Sequence, residues 1–236
     1  MAMRPAIALL VLLLTQAETA SDPAPRKKEY PWMSVASWTQ RHENFLKRAK
    51  EGKMDLLFLG DSITEGWGNN AVWQKSYAPL NAANFGIGGD TTENVLWRIL
   101  NGEIEGLSPK VAVLMIGTNN FGLEGHAPAD VAKGITTIVQ TLRKKLPTTK
   151  ILLLGIFPRD EKPNTESRKK IQKVNEQIAG LDDKKNVRFL DIGPKFTNPD
   201  GSIAKEIMPD FLHLSEKGYQ IWADAMDPLL KQLMGR

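Results

Sequence analysis

The chain contains no cysteine. That absence removes disulfide staples, thiolate nucleophiles, zinc ribbons and iron–sulfur clusters together. Histidine is scarce, with three in 236 residues. They are scattered and form no H-E-x-x-H, which makes a zinc site a poor reading. The phosphate-binding G-x-x-x-x-G-K-[ST] and the G-x-S-x-G elbow of α/β-hydrolases are missing too. No apolar run reaches the roughly twenty residues that a membrane-spanning helix needs. Charge of one sign is barely in excess: the net +4 is spread along the chain and does not argue for nucleic acid binding. With 42% hydrophobic and 25% charged residues, the chain is neither disordered nor collagen-like, and its length can bury a proper core.

The opening segment stands apart. Arg4 is the only charge before Glu18, and an unbroken apolar run extends from Ala6 to Leu14. A positive start, a short apolar run and small residues after it are the pattern of a secretory signal. Thr15 and Ala17 supply small residues at −3 and −1, so residues 1–17 read as a leader cleaved after Ala17, with Thr19-Ala20-Ser21 as the alternative site. An uncleaved membrane anchor is the competing reading; a lipid anchor would need a cysteine. The product is expected to be exported, periplasmic or extracellular, with no stable membrane insertion. Residues 18–35, holding three prolines and the basic run Arg26-Lys27-Lys28, read as an extended, solvated linker.

Beyond the linker, residues 36–236 read as one domain. Trp38, Phe45, Leu46 and Ala49 fall at helical spacing. Short apolar runs at 56–59, 111–116, 151–156 and 187–190 read as buried strands, with a weaker one at 82–85. Helical stretches separate them at 92–100, 129–146 and 167–181, and a last one at 215–233 closes the chain. Strands alternating with helices predict a five-stranded parallel sheet, doubly wound in an α/β/α sandwich. In such sheets ligands bind beyond the carboxyl ends of the strands.

The segments just after the strands are chemically loaded. Gly60-Asp61-Ser62 comes after the first, placing a hydroxyl at the sheet edge near a helix start, where Ser62 could equally be an ordinary N-cap. Asn84-Phe85-Gly86-Ile87-Gly88-Gly89-Asp90-Thr91 belongs to the second; it fails the dinucleotide pattern because Thr91 stands where the third glycine belongs. Gly117-Thr118-Asn119-Asn120 comes after the third, and an asparagine amide there can donate to a developing oxyanion. Asp210 precedes His213 by three, a spacing at which a carboxylate can orient an imidazole. Each piece alone has a bland reading as a turn or a cap. Four of them at the ends of core strands or beside the last helix do not.

Together these blocks resemble the SGNH, or GDSL, hydrolase superfamily, with a serine in G-D-S, a glycine, an asparagine and a D-x-x-H pair. The branch that looks closest is that of the platelet-activating-factor acetylhydrolase catalytic subunits. The residues that carry this are Asn84 to Asp90, Val95-Leu96-Trp97-Arg98, Gly117 to Asn120, and His213-Leu214-Ser215 with Gly218-Tyr219. The resemblance implies a flavodoxin-like SGNH hydrolase fold, Ser62 as nucleophile, His213 as base and Asp210 as its orienting carboxylate. It implies an oxyanion hole from the Ser62 and Gly89 N–H groups and the Asn119 amide, where Gly89 is chosen because it precedes Asp-Thr. It implies no cofactor, a small-molecule or carbohydrate ester as substrate, no nucleic acid partner, and a homodimer.

Substrate is less legible. Trp67, Trp73, Phe121 and Leu123 come soon after the motif residues, and of these Trp67 is the expected pocket residue. Trp97 reads as core, and Arg98 as an anchor for a loop carboxylate. For an exported member of this branch the expected reaction is removal of short acyl groups, acetyl above all, from carbohydrate. A phospholipid acetylhydrolase, a longer-chain lipase or thioesterase, and a non-catalytic carbohydrate-binding protein on the same fold are the alternatives.

Overall fold

The computed structural model describes residues 19–68 and 70–236; the expected leader lies outside the described residues. Five parallel strands form one sheet: β1 (Leu56–Gly60), β2 (Ala82–Gly86), β3 (Val111–Met115), β4 (Lys150–Leu154) and β5 (Val187–Leu190), in the order β2-β1-β3-β4-β5. The pairing is in register from Leu56 opposite Ala82 and Val111. The apolar runs end up buried because both sheet faces are covered. Leu57, Leu59, Ala112 and Leu114 face one layer, made by α1 (Val35–Lys50), α4 (Thr92–Arg98), α6 (Pro128–Lys145) and α7 (Glu166–Ile178). Leu56, Phe58, Val111 and Val113 face the other, where α2 (Ser62–Glu65), α3 (Ala71–Ser76) and α8 (Glu216–Met234) pack. A further short helix, α5 (Thr118–Gly122), comes after β3.

Local chemistry sets the helix ends. Ser34 caps α1 by accepting from the Ser37 N–H, Thr165 caps α7, and Ser215 caps α8 by accepting from the Gly218 N–H. Pro128 opens α6, and Arg143, Lys144 and Lys145 occupy its last turn, where cations suit the helix dipole. The third and fourth strands pair over shorter stretches than their apolar runs: Ile116 and Ile156 are buried beyond the last paired residues. The helix expected over 92–100 breaks after Arg98 into a wide turn, Ile99–Glu103, which closes through Gly102 at φ +103°.

Residues 19–35 are not a solvated linker. Ala20, Ala24, Arg26 and Met33 are buried. The segment lies against the start of α4, where Thr92 Oγ1 donates to the Ala20 carbonyl (2.7 Å) and Asn94 Nδ2 to that of Ala24 (3.0 Å). Arg26 Nη2 donates to the Gly88 carbonyl (2.7 Å) and pairs with Asp90 (3.2 Å). The basic run misled because a cation is read as solvated unless its partner is known, and here the partner is 64 residues away.

The strand order reverses between β1 and β3, and their crossovers leave on opposite sides of the sheet. That topological switch opens a crevice at the carboxyl ends of the two strands. Ser62 comes after β1, Gly89 after β2 and Asn119 after β3.

Candidate active site

Asp61 comes just after the first strand in extended conformation and caps α2, accepting the Ile63 N–H on Oδ1 (3.0 Å). The capping role open to Ser62 is thus taken by its neighbour, and Ser62 occupies the first helical position with its hydroxyl free of the backbone. α2 is a single turn, so the macrodipole adds little; the local N–H groups matter instead. Asp61 is fully buried, and burial pushes its carboxyl up to about 7.

The Ser62 hydroxyl meets His213 Nε2 at 2.9 Å across 151 residues of sequence. His213 Nδ1 meets Asp210 Oδ2 at 2.6 Å. The other carboxylate oxygen, Oδ1, accepts the backbone N–H groups of His213 (2.7 Å) and Leu212 (3.1 Å). A left-handed Phe211 (φ +59°) tightens this loop so that carboxylate and imidazole lie side by side. Burial pushes the Asp210 carboxyl up, but hydrogen bonds from the His213 ring and backbone outweigh it and hold it below the usual carboxylate range. Both side chains are open to water: His213 is 46% exposed and Asp210 56%.

Three glycines lie at and beyond the end of β2, and their N–H groups have different fates. That of Gly86 goes to Asn84 Oδ1 (2.9 Å) and that of Gly88 to Glu65 Oε2 (2.7 Å). No described group accepts the Gly89 N–H, and Gly89 faces the same cavity as Ser62. Gly89 needs to be glycine: its φ is +75°, and an added Cβ would lie 2.2 Å from Trp32 Cη2. Asn119 Nδ2 donates one hydrogen to the Asp90 carbonyl (2.9 Å), leaving the other for a ligand.

The loop that carries Gly89 is held from below. Arg98, fully buried, donates to Asp90 Oδ2 (2.8 Å) and Glu103 (2.5 Å) and to the Phe85 carbonyl (3.1 Å). Trp38 Nε1 donates to Asp90 Oδ1 (2.7 Å), and His42 pairs with Glu103 (2.7 Å). Arg98 anchors a loop carboxylate, as its position in the sequence suggested.

Ser62, His213, Gly89 and Asn119 line one cavity of about 500 Å³, with Trp32, Met33, Arg41, Glu65, Leu123 and Arg159 among its other walls. A second cavity of about 480 Å³ lies beside α7 and β5 and holds no serine or histidine. A hydroxyl bonded to an imidazole, a carboxylate behind it and two unspent N–H donors together suit attack on an acyl carbonyl.

The sequence model of the GDSL-like Lipase/Acylhydrolase family matches residues 58–221. The chain belongs to the GDSL-like lipase/acylhydrolase family. Among its relatives is platelet-activating factor acetylhydrolase IB subunit alpha2 of Rattus norvegicus, 42% identical over 198 residues that cover 84% of this chain and 85% of the relative. The alpha1 subunit of Bos taurus is 37% identical over 219 residues, covering 91% and 93%. A solved GDSL-like lipase from Bacteroides thetaiotaomicron superposes with a TM-score of 0.68 over 81% of this chain and 97% of its own, at 17% identity, a likeness of fold. As a member of this family the protein is a hydrolase.

For this GDSL hydrolase, the expectation that Trp67 lines the pocket fails. Trp67 is fully buried among Phe58, Trp73, Tyr77, Tyr219 and Trp222, with ring centroids 4.5–6.3 Å away. α2 and α3 pack their apolar sides under α8, which turns Trp67 into core. Trp73 is core too, and Phe121 packs against the opposite layer. Leu123 does reach the cavity. The aromatic ring at the rim is instead Trp32, from the segment read as linker. Arg26 and Glu65 were also missed. Glu65 faces the cavity one helical turn after Ser62, paired with Arg41 and holding the Gly88 N–H; that spacing was the only sequence signal for it. Among the described residues no three His, Asp or Glu side chains gather as metal ligands, and no helix is long and apolar enough to cross a membrane.

Proposed function

We propose that the protein is an exported serine esterase that removes short acyl groups, chiefly acetyl, from carbohydrate through a Ser62 acyl-enzyme. The observation that carries the chemistry is the chain of contacts from Ser62 Oγ to His213 Nε2 (2.9 Å) and from His213 Nδ1 to Asp210 Oδ2 (2.6 Å) at the mouth of a cavity. Ser62 Oγ attacks the ester carbonyl carbon as its proton passes to His213 Nε2. The carbonyl oxygen, now anionic, accepts from the N–H groups of Gly89 and Ser62 and from the second hydrogen of Asn119 Nδ2. Collapse of this intermediate expels the alcohol, which takes the proton from His213. Water then attacks the acyl-enzyme, its proton going to His213, and Ser62 recovers its own as the acid leaves. Asp210 holds the ring so that Nε2, not Nδ1, faces Ser62.

Acetyl as the acyl group is supported by the name of the relatives at 37–42% identity, acetylhydrolases. Carbohydrate as the alcohol is supported by a cavity wall that carries Arg41, Glu65 and Arg159 beside an exposed indole, a mixture suited to a hydroxylated ring. Export is supported by the apolar segment Ala6 to Leu14. Cleavage after Ala17 would leave the docked residues Ala20, Ala24 and Arg26 in place. A second reading, an acetylated phospholipid as substrate, is favoured by the same relatives' names.

The test is hydrolysis of nitrophenyl esters of two, four and eight carbons by residues 18–236, beside Ser62→Ala. Activity is expected to fall steeply beyond acetate, and Ser62→Ala to lower kcat by more than about 10⁴-fold. A folded Ser62→Ala protein with unchanged turnover refutes the mechanism. Equal or better activity on the eight-carbon ester removes acetyl and brings lipids forward.

A further inference from the structure

Trp32 is 54% exposed, the most exposed large apolar side chain among the described residues. It sits in the turn closed by the Tyr30 and Met33 backbone bonds (3.0 and 3.1 Å). An isolated exposed indole would sample several rotamers. This one is held: its ring stacks on Tyr30 at 4.7 Å and 7°, and the Arg26 guanidinium lies 5.5 Å from the Tyr30 ring and 5.8 Å from that of Trp32. Arg26 is itself buried and bonded to the Gly88 carbonyl. Tyr30 is tied by its hydroxyl to Glu124 (3.3 Å). The ring is therefore fixed to the loop that carries Gly89 and to the segment after Asn119.

Its place is specific. The Cη2–Cζ3 edge of the indole stands against Gly89, close enough that a methyl there would collide with it. An oxyanion must lie about 3 Å from the Gly89 nitrogen, so an ester reacting at Ser62 brings its substituents within reach of the ring. An acetyl group fills only a small part of a cavity of about 500 Å³, which leaves the rest to the alcohol.

We propose that Trp32 is the specificity-determining platform on which the sugar ring of the substrate's alcohol portion rests. The inference depends on the protein being a carbohydrate esterase. The apolar face of a pyranose covers an indole, while its hydroxyl groups meet Arg41 and Glu65, whose side chains share the cavity. Holding the indole in advance spares the ordering cost on binding. A lipid chain would find charged groups on the same wall. The segment 19–35 is thus part of the substrate site.

The test compares wild type, Trp32→Ala and Trp32→Phe on an acetylated xylo-oligosaccharide and on ethyl acetate, whose alcohol is too small to cover an indole. Trp32→Ala is expected to raise KM for the oligosaccharide about tenfold with a smaller change in kcat. The ratio of kcat/KM, oligosaccharide over ethyl acetate, should fall about tenfold, and Trp32→Phe should recover most of it. An unchanged ratio overturns the assignment of Trp32, including the case where both substrates lose kcat equally because the ring merely braces Gly89. Wild type that cleaves ethyl acetate but leaves the oligosaccharide intact is a different failure: it overturns the carbohydrate reading, and the sugar platform with it.

Discussion

Replacing Asp210 with asparagine separates the two things that this carboxylate does. Oδ1 accepts two backbone N–H groups, from His213 (2.7 Å) and Leu212 (3.1 Å). Those bonds lock the orientation of the new amide, since only its oxygen can accept them. Its NH₂ must then face His213 Nδ1, where Oδ2 stood at 2.6 Å. A donor opposite a donor disfavours the tautomer with its hydrogen on Nδ1, the one whose Nε2 can take the proton of Ser62. In a serine hydrolase with a buried triad aspartate this change costs about 10⁴-fold. Here the carboxylate and ring are 56% and 46% exposed, so water can serve the imidazolium once the charge is gone. A charge pair about 4 Å apart is worth about 1 kcal/mol in water and about 4 kcal/mol near a protein surface. At about 1.4 kcal/mol per tenfold, the loss should lie between roughly fivefold and 10³-fold, centred near 60-fold. The assay is kcat/KM on nitrophenyl acetate at pH 7.5, with thermal melting to confirm the fold. At that pH the wild-type carboxylate, held below its usual range, is fully ionised. A loss as large as that of Ser62→Ala would refute the argument from exposure. A loss under about threefold would refute the coupling of Asp210 to His213.

Two further outcomes are expected from the buried Asp61 and from the docked amino-terminal segment. Asp61 titrates near 7 in the folded chain against about 3.8 unfolded, and its Oδ2 meets no hydrogen-bond partner. The unfolded state therefore loses this proton first, and stability drains away as pH rises from about 4 to about 7. Asp61→Asn keeps the cap without the titration, so wild type should lose on the order of 4 kcal/mol relative to the variant between pH 4 and pH 8. Urea denaturation of both at the two pH values checks this, and identical pH dependence refutes it. For export, the mature chain purified from the producing cell is expected to begin at Glu18, read by mass spectrometry of its amino-terminal peptide. A chain beginning at Ser21 would move cleavage to the alternative site and remove Ala20 with its bond to Thr92, and one that keeps Met1 would contradict cleavage.

What the sequence determined by itself is what depends on short separations. Continuous apolar runs such as Leu56 to Leu59 can be satisfied only by a sheet covered on both sides. The Asp210–His213 pair forms within four residues, so its spacing carried its geometry. Ser62, Gly89 and Asn119 were legible as strand-end residues because the parallel sheet gathers all such ends at one edge. What only the tertiary structure decided is what depends on packing between distant segments. Trp67 and Trp32 have the same side chain, yet the first is sealed under α8 and the second stands at the cavity rim. No local rule separates them, since burial belongs to the neighbours that the fold supplies. Arg26 likewise became a buried brace because Asp90 and the Gly88 carbonyl wait for it across the molecule. A cation leaves water only where such partners replace its hydration, and where those partners are is settled by the fold.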